Sequence, residues 1–151
     1  MNPDVLLLGP ADAHVLERVA PDVFDGPIDS QLTAEFLGDA RHHLVVAVDD
    51  GTVVAMASAV HYVHPDKAPQ LWINEVGVAP THRRLGLGSR LLELLLKRGT
   101  ALGCTEAWVL TDRANTVAQR LYASAGATVP PEECIMYTFP LANASTEDAA
   151  G

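Results

Sequence analysis

The sequence has few positive charges, few cysteines and no long apolar run. Ten Lys and Arg stand against 19 Asp and Glu, a net charge of −9. This charge argues against binding nucleic acid without sequence preference and against docking on anionic lipid, because both need excess cations, but it is compatible with a cationic substrate. Cys104 and Cys134 are 30 positions apart and form no CxxC motif, so we predict two buried thiols and no disulfide scaffold. The histidines do not show the spacing of metal ligands, so we predict no metal site.

The sequence also lacks the signs of a leader or a membrane span. Its first residues have no basic stretch, and no apolar run reaches about 18 residues, so we predict a cytoplasmic protein. Hydrophobic residues make up 48% of the 151 positions, which is enough for the core of one domain. We predict that domain over residues 1–141 and a solvated tail of small and acidic residues over 142–151.

The apolar pattern predicts strands and helices in the order β-α-α-β-β-β-α-β-α-β. Asp50-Gly51 between two β-rich runs predicts a hairpin, and the leucines from Leu87 to Leu102 predict the longest helix. This order is typical of an α/β (α+β) fold with a mixed, mostly antiparallel sheet and helices on both faces. The strands are predicted at Val5–Leu8, Leu44–Val48, Val53–Val60, Leu71–Val78, Ala107–Leu110 and Glu133–Phe139, and the helices at 12–19 (N-cap Asp12), 30–37 (N-cap Ser30), 87–102 and 115–124.

The segment 83–89 (Arg-Arg-Leu-Gly-Leu-Gly-Ser) lies between a predicted strand and the leucine-rich helix. Gly86 and Gly88 let the backbone turn tightly and present N–H groups at a helix N-terminus, where the helix dipole favours an anion. The two arginines add local positive charge. No Lys-Ser/Thr follows the glycines, which argues against a nucleotide P-loop. Leu91 stands where a dinucleotide fingerprint has its third glycine, which argues against that motif as well. The segment predicts a pyrophosphate site or, alternatively, a helix entry with solvated arginines.

The pattern Arg83-x-x-Gly86-x-Gly88 resembles the acetyl-CoA signature of the GNAT superfamily of N-acetyltransferases. The later segment from Asn115 through Leu121-Tyr122 to Gly126 also resembles that superfamily, although Ala127 stands where Phe is common. The resemblance covers about residues 5–141, and it implies the GNAT fold and acetyl-CoA as co-substrate without a metal. The residues that it implies for acetyl-CoA binding are Val76, Gly77, Val78, Arg83, Arg84, Leu85, Gly86, Leu87, Gly88, Ser89 and Asn115.

A closer resemblance is to the type I aminoglycoside 3-N-acetyltransferases. Glu75 corresponds to the acidic residue of their fourth strand, and Thr81-His82-Arg83-Arg84 is similar to their Glu-His-Arg-Arg stretch except at Thr81. The resemblance implies acetylation of the 3-amino group of an aminoglycoside, antibiotic resistance and a homodimer. The residues implied for acceptor binding are Glu75, Asp112, Glu132 and Glu133, and Asp66 is a weaker candidate.

Glu75 and Tyr122 are the predicted catalytic residues. Glu75 would take a proton from the substrate ammonium, directly or through a water, or it would bind the ammonium electrostatically and leave the proton to bulk water. Tyr122, by its family position, would protonate the leaving thiolate, or it is a core tyrosine. A bulge at Gly77 would open the strand, and the N–H of Val76 would stabilise the oxyanion.

Two other functions are compatible with these residues. The first is a GNAT enzyme for another amine, such as a polyamine, an amino sugar, or a protein N-terminus or lysine. A protein substrate would need an open groove, whereas an aminoglycoside predicts a compact acidic cavity. The second is a non-catalytic CoA-binding module, against which Glu75 and Tyr122 both argue.

Overall fold

A computed structural model of the chain describes residues 2–142, which form one five-stranded sheet with flanking helices. Of the predicted tail, residues 143–151 lie outside the described part. Among the described residues, no helix has both the length and the apolar character of a membrane span. The strands are β1 (Asp4–Leu7), β2 (His42–Asp49), β3 (Thr52–Tyr62), β4 (Gln70–Val78) and β5 (Ala107–Val109), and the α-helices are α1 (Ser30–Gly38), α2 (Leu87–Ala101) and α3 (Thr116–Ser124).

The strands lie in the sheet in chain order, β1-β2-β3-β4-β5. The first three pairs are antiparallel, whereas β4 and β5 are parallel, because α2 provides the crossover between them. The β2–β3 hairpin turns at Asp50 (φ 48°) and Gly51 (φ 73°), the two left-handed residues that a type I′ turn requires. The predicted mixed, mostly antiparallel sheet is confirmed.

The core lies between the two central strands and α2. Residues 43–47 and 53–57 are buried without alternation, the pattern of strands that are covered on both faces. Four leucines of α2 spaced around its inner face are at most 2% exposed, and these are Leu87, Leu91, Leu92 and Leu95. The helical spacing of the leucines therefore predicted both this helix and the face that it buries.

The first two predicted helices differ from the structure at their starts. Residues Pro10–Glu17 form a 3-10 helix with Gly9 as N-cap, and Asp12 instead accepts a hydrogen bond of 2.7 Å from the Gly9 N–H. Helix α1 has Asp29 rather than Ser30 as its N-cap, because the Asp29 carboxylate accepts from the Leu32 N–H at 2.8 Å. Both helix positions were right within a few residues, and both N-caps were wrong.

The predicted last strand, Glu133–Phe139, is not formed. No residue from 127 to 140 belongs to a strand, and the large apolar side chains of this segment are exposed. A strand needs a neighbouring strand for its hydrogen bonds, and residues 133–139 belong to no strand pair in the described part of the chain. Cys134, in the same segment, is exposed and Cys104 is only half-buried, so the prediction of two buried thiols is also wrong.

A pair of histidines joins β2 to β3 beside the core. His43 is 3% exposed, and its Nε2 lies 2.8 Å from Nδ1 of His61. Burial of the His43 imidazole lowers its pKa to about 4, and repulsion of its protonated form by His61 and Arg98 contributes to a smaller extent. His43 is therefore neutral in the folded protein near neutral pH.

We expect His43 to reduce stability as the pH falls below 6.5. In the unfolded chain its imidazole takes up a proton with the ordinary pKa of 6.5, whereas the folded state resists protonation down to about 4, so acid favours the unfolded state. Between pH 7.5 and pH 5 this difference amounts to about 2 kcal/mol. Urea unfolding at the two pH values should show a smaller loss for His43→Gln than for the wild type. The control His14→Gln, at an exposed position, should match the wild type, and an equal loss in all three proteins would contradict the assignment.

Candidate active site

Strands β4 and β5, the pair at one edge of the sheet, separate part of the way along β4. They pair only over Leu71–Ile73 and Ala107–Val109, although β4 continues to Val78. At the point of separation Glu75 pairs with Ser58 and Ile73 with Ala59, which leaves Asn74 as a bulge. We predicted the bulge at Gly77, and the structure has it at Asn74. Beyond Asn74, in the described part of the chain, the edge of β4 that faces β5 carries no strand, so its backbone groups are available to a ligand.

Gly77 has a different role at this edge. A Cβ atom there would lie 2.2 Å from the backbone oxygen of Val23, which belongs to the loop between the first 3-10 helix and α1. The absence of a side chain lets this loop lie directly on β4. Val23 is itself 3% exposed, so the contact is part of the core.

The turn after β4 has the geometry that an anion site needs. Gly86 (φ 75°) is the N-cap of α2, and Arg84 (φ 65°) also has left-handed backbone. No side chain caps this helix, so the N–H groups of its first turn have no acceptor from a capping residue. Arg83 and Arg84 are exposed beside it. Together, the uncapped N–H groups and the two exposed arginines form a positively charged turn, here called the cradle, of a kind that can bind an anion.

The cradle is attached to the sheet and to α3 by two contacts. His82, directly before the arginines, lies with Nε2 2.7 Å from an Asp49 carboxylate oxygen at the end of β2, and its Nδ1 is 2.8 Å from Thr81 Oγ1. At Gly88 a Cβ would lie 3.0 Å from a methyl group of Leu121, so α2 and α3 approach closely there. The role of Asp49 was not predictable from the sequence, because its partner His82 is 33 positions away.

Tyr122 lies half-buried on α3 and packs against the hydrophobic core. Burial raises the pKa of its phenol above the ordinary value of 10, so the hydroxyl is protonated at neutral pH. Helix α3 begins where predicted, since the Asn115 side chain accepts a hydrogen bond of 3.0 Å from the Ala118 N–H. A protonated phenol can donate a proton or a hydrogen bond.

The predicted acceptor-binding acids occupy two parts of the surface. Glu75 is exposed on β4, directly after the bulge. Asp112 follows β5 in the chain. Glu133 forms an ion pair with Arg113, the residue next to Asp112, and is thereby held near it. Glu132 is exposed next to Glu133. The structure thus brings Asp112 and the Glu132–Glu133 pair to one loop region.

A cavity of about 630 Å³ lies among the first 3-10 helix, the following loop and the start of α1. Glu17, Asp22 and Asp25 line it together with apolar residues such as Phe24 and Ile28. These three acids were not among the predicted site residues, although Asp22 and Asp25 stand in a short acidic stretch between two prolines. None of the four predicted acceptor-binding acids lines this cavity. Among residues 2–142 no cluster of potential metal ligands is found.

The sequence of residues 13–127 matches the model of the acetyltransferase (GNAT) family. No curated protein matches the chain. Among solved structures, an aminoglycoside acetyltransferase, HMB0005, from an uncultured soil metagenomic sample has 22% identity and a TM-score of 0.78, covering 94% of this chain and all of that one.

Two further structures share the fold. The aminoglycoside acetyltransferase meta-AAC0020, also from an uncultured soil metagenomic sample and in complex with sisomicin, has 19% identity and a TM-score of 0.76, over 91% of this chain and 95% of that one. AAC(6')-Iy, in complex with the bisubstrate analogue CoA-S-monomethyl-acetylneamine, has 22% identity and a TM-score of 0.75. The match covers 93% of this chain and 100% of that one. The matched family model spans most of the sequence, and the chain therefore belongs to the GNAT family of acetyltransferases.

Proposed function

We propose that this protein is a cytoplasmic enzyme that transfers the acetyl group of acetyl-CoA to the 3-amino group of an aminoglycoside, and so confers antibiotic resistance. One observation carries the proposal: the end of β4 that leads into the phosphate cradle also touches the loop that lines the acidic cavity. Val78 leads into the cradle, and the neighbouring Gly77 touches Val23 of the loop. One end of a single strand therefore adjoins both a candidate site for an anion and the loop of a candidate site for a cation.

The residues present fit acetyl-CoA. The arginines and the uncapped N–H groups of α2 suit its pyrophosphate, and the free edge of β4 suits the amide groups of its pantetheine arm, which would pair like a strand. The residues that would hold it are Val76, Gly77, Val78, Arg83, Arg84, Leu85, Gly86, Leu87, Gly88, Ser89 and, at the start of α3, Asn115. When bound, acetyl-CoA supplies an acetyl group activated as a thioester.

In this proposal three groups of the chain perform the chemistry. The Glu75 carboxylate takes a proton from the substrate ammonium, directly or through a water, and frees the nitrogen lone pair. The N–H of Val76 donates a hydrogen bond where negative charge develops on the carbonyl oxygen. The Tyr122 hydroxyl, which burial keeps protonated, donates a proton to the leaving sulfur.

The acceptor would lie in the negatively charged region around the cavity. The cavity acids Glu17, Asp22 and Asp25 would hold ammonium groups there, because charges in a concave site add their potentials. Asp112, Glu132 and Glu133 would form a second acidic group near the end of β5. The complex of one structural neighbour with sisomicin supports this choice of acceptor.

Acetyl transfer by the purified protein tests the proposal. The protein would be incubated with acetyl-CoA and, in turn, gentamicin-like aminoglycosides, spermidine and lysine-containing peptides, and free thiol release followed. Turnover with aminoglycosides but little with the peptides is expected. Turnover only with spermidine or peptides would show that the acceptor is not an aminoglycoside. If the protein binds CoA but turns over none of these amines, the non-catalytic module would be favoured.

The position of acetylation needs a separate measurement. NMR of the purified product should locate the new amide on the 3-amino group. The name of the neighbour AAC(6')-Iy denotes the 6' position, so acetylation at a 6' amine is the specific outcome that would overturn the regiochemistry and leave the acetyltransferase function intact.

A further inference from the structure

Trp72 of β4 points away from α2. The preceding residue, Leu71, lies against that helix, because a Cβ at Gly99 would lie 3.1 Å from a Leu71 methyl group. Side chains alternate between the two faces of a strand, so Trp72 lies on the opposite face. Trp108, which stands opposite Trp72 on β5, contacts it on that face. We name the side of the sheet that carries both rings the tryptophan face.

Glu75, the predicted base, also lies on the tryptophan face. It pairs with Ser58 of β3, and Trp72 pairs with Val60, two positions further along β3. Residues two positions apart on a strand share a face, so the bulge at Asn74 brings Glu75 to the same side as Trp72. Ser58 and Val60 are only partly buried, so this face is accessible beside Glu75.

The two tryptophans form one aromatic surface. Their ring centroids are 5.8 Å apart and their planes are perpendicular, so the edge of one ring meets the face of the other. Trp108 is 38% exposed, and Trp72 is partly exposed. An exposed indole face packs against the apolar atoms of a ring and attracts a nearby cation through its π electrons.

Glu106 fixes this surface and adds negative charge to it. Its Oε1 accepts a hydrogen bond of 2.7 Å from the Trp108 indole N–H and one of 3.1 Å from the Gln70 side chain. Both bonds end on the same oxygen, so a cationic group can approach the exposed carboxylate at Oε2. Glu106 lies beside Gln70, at the opposite end of the tryptophan pair from Glu75.

The spacing of the two acids indicates a ligand with more than one ring. Gln70, which holds Glu106, and Glu75 are five residues apart on β4, roughly 15 Å at the usual rise of a strand. This distance is longer than one sugar ring. A ligand that reaches both carboxylates therefore carries two positively charged groups on different rings, with the tryptophans between them.

We propose that Trp72, Trp108 and Glu106 form a second acceptor subsite, which binds a ring that does not react while Glu75 acts on the reacting amine. The subsite rests on the proposed acetylation of an aminoglycoside. The ring packs on the exposed indole surface, and the Glu106 carboxylate holds an ammonium group of that ring. A linear polyamine has the charges but no ring, so the subsite selects aminoglycosides over polyamines.

Intrinsic fluorescence tests the subsite without acetyl transfer, because both tryptophans of the chain lie in it. Protein with CoA, which carries no acetyl group, would be titrated with gentamicin, and binding followed in parallel by calorimetry. Gentamicin should change the tryptophan emission, and Glu106→Gln should raise its Kd about 10-fold. Glu93→Gln, at an exposed position on α2, should match the wild type. Absence of binding, or binding that leaves the emission unchanged, would overturn the subsite.

Kinetics separate a failure of this subsite from a failure of the proposed function. Trp108→Leu and Glu106→Gln should each raise the KM for gentamicin about 10-fold and leave kcat and the KM for acetyl-CoA near the wild-type values. With 2-deoxystreptamine, the single ring that carries the 3-amino group, both variants should match the wild type. Acetylation of gentamicin with an unchanged KM in both variants would refute the subsite alone. A wild type that does not acetylate gentamicin would overturn the proposed function, and the fluorescence titration would then decide the subsite by itself.

Discussion

Replacement of Glu75 by Gln should lower kcat for aminoglycoside acetylation by about 10²–10⁴-fold at neutral pH, the usual contribution of a well-placed general base. Gln has nearly the same shape but cannot accept the ammonium proton. Because Glu75 is exposed on β4, the substitution should change the free energy of unfolding by less than about 0.5 kcal/mol. The KM for acetyl-CoA should also stay near the wild-type value, since the cradle is formed by other residues. Steady-state kinetics from pH 6 to pH 10 would measure the effect.

The pH profile separates the two roles considered for Glu75. If it is the base, the kcat of Glu75→Gln should rise toward the wild-type value at high pH, where the substrate amine is already neutral in solution and no proton has to be removed from it. If it only binds the ammonium, the variant should show a raised KM for the aminoglycoside with kcat close to that of the wild type. Glu35→Gln, which removes the same charge from an exposed position on α1, controls for the change in net charge. Activity of Glu75→Gln equal to that control at every pH would exclude both roles.

Elements that depend on local sequence were predictable. The leucines of α2 repeat at helical spacing and the helix buries that face, and Asp50-Gly51 adopts the turn that its residues favour. The cradle was found for the same reason, because two glycines and two arginines stand together in the sequence. What failed was the strand at Glu133–Phe139, since the residues of a strand do not indicate whether an edge of the sheet will pair with it.

The acidic cavity was not predictable for a related reason. Glu17 ends the first 3-10 helix, whereas Asp22 and Asp25 lie in the loop whose Val23 touches Gly77 of β4, 54 positions later in the chain. The net charge of −9 is thus divided in a way that composition does not reveal. Exposed arginines lie at the cradle that follows β4, and these three acids line a separate cavity. In the proposed enzyme this division separates the anionic donor from the cationic acceptor.

Gly77→Ala should lower the free energy of unfolding by about 2–3 kcal/mol, a typical cost of overpacking a core. The added Cβ would lie 2.2 Å from the Val23 oxygen, and because that atom belongs to the backbone it cannot rotate away. Either β4 or the loop must move, and the buried Val23 side chain moves with the loop. Urea unfolding measures the loss. Gly26→Ala, in the same loop but with no atom within 4 Å of its new Cβ, should stay within about 0.5 kcal/mol of the wild type.

The same substitution should also affect turnover, because the loop at Gly77 lines the proposed acceptor cavity. We expect Gly77→Ala to raise the KM for the aminoglycoside, and an additional rise in the KM for acetyl-CoA would show that β4, rather than only the loop, has moved. Kinetics at a temperature where the variant is fully folded would separate this effect from instability. An unfolding free energy and an aminoglycoside KM both equal to those of the wild type would show that the loop does not lie on β4. The contact between Val23 and Gly77 would then not connect the packing of the core with the proposed acceptor cavity.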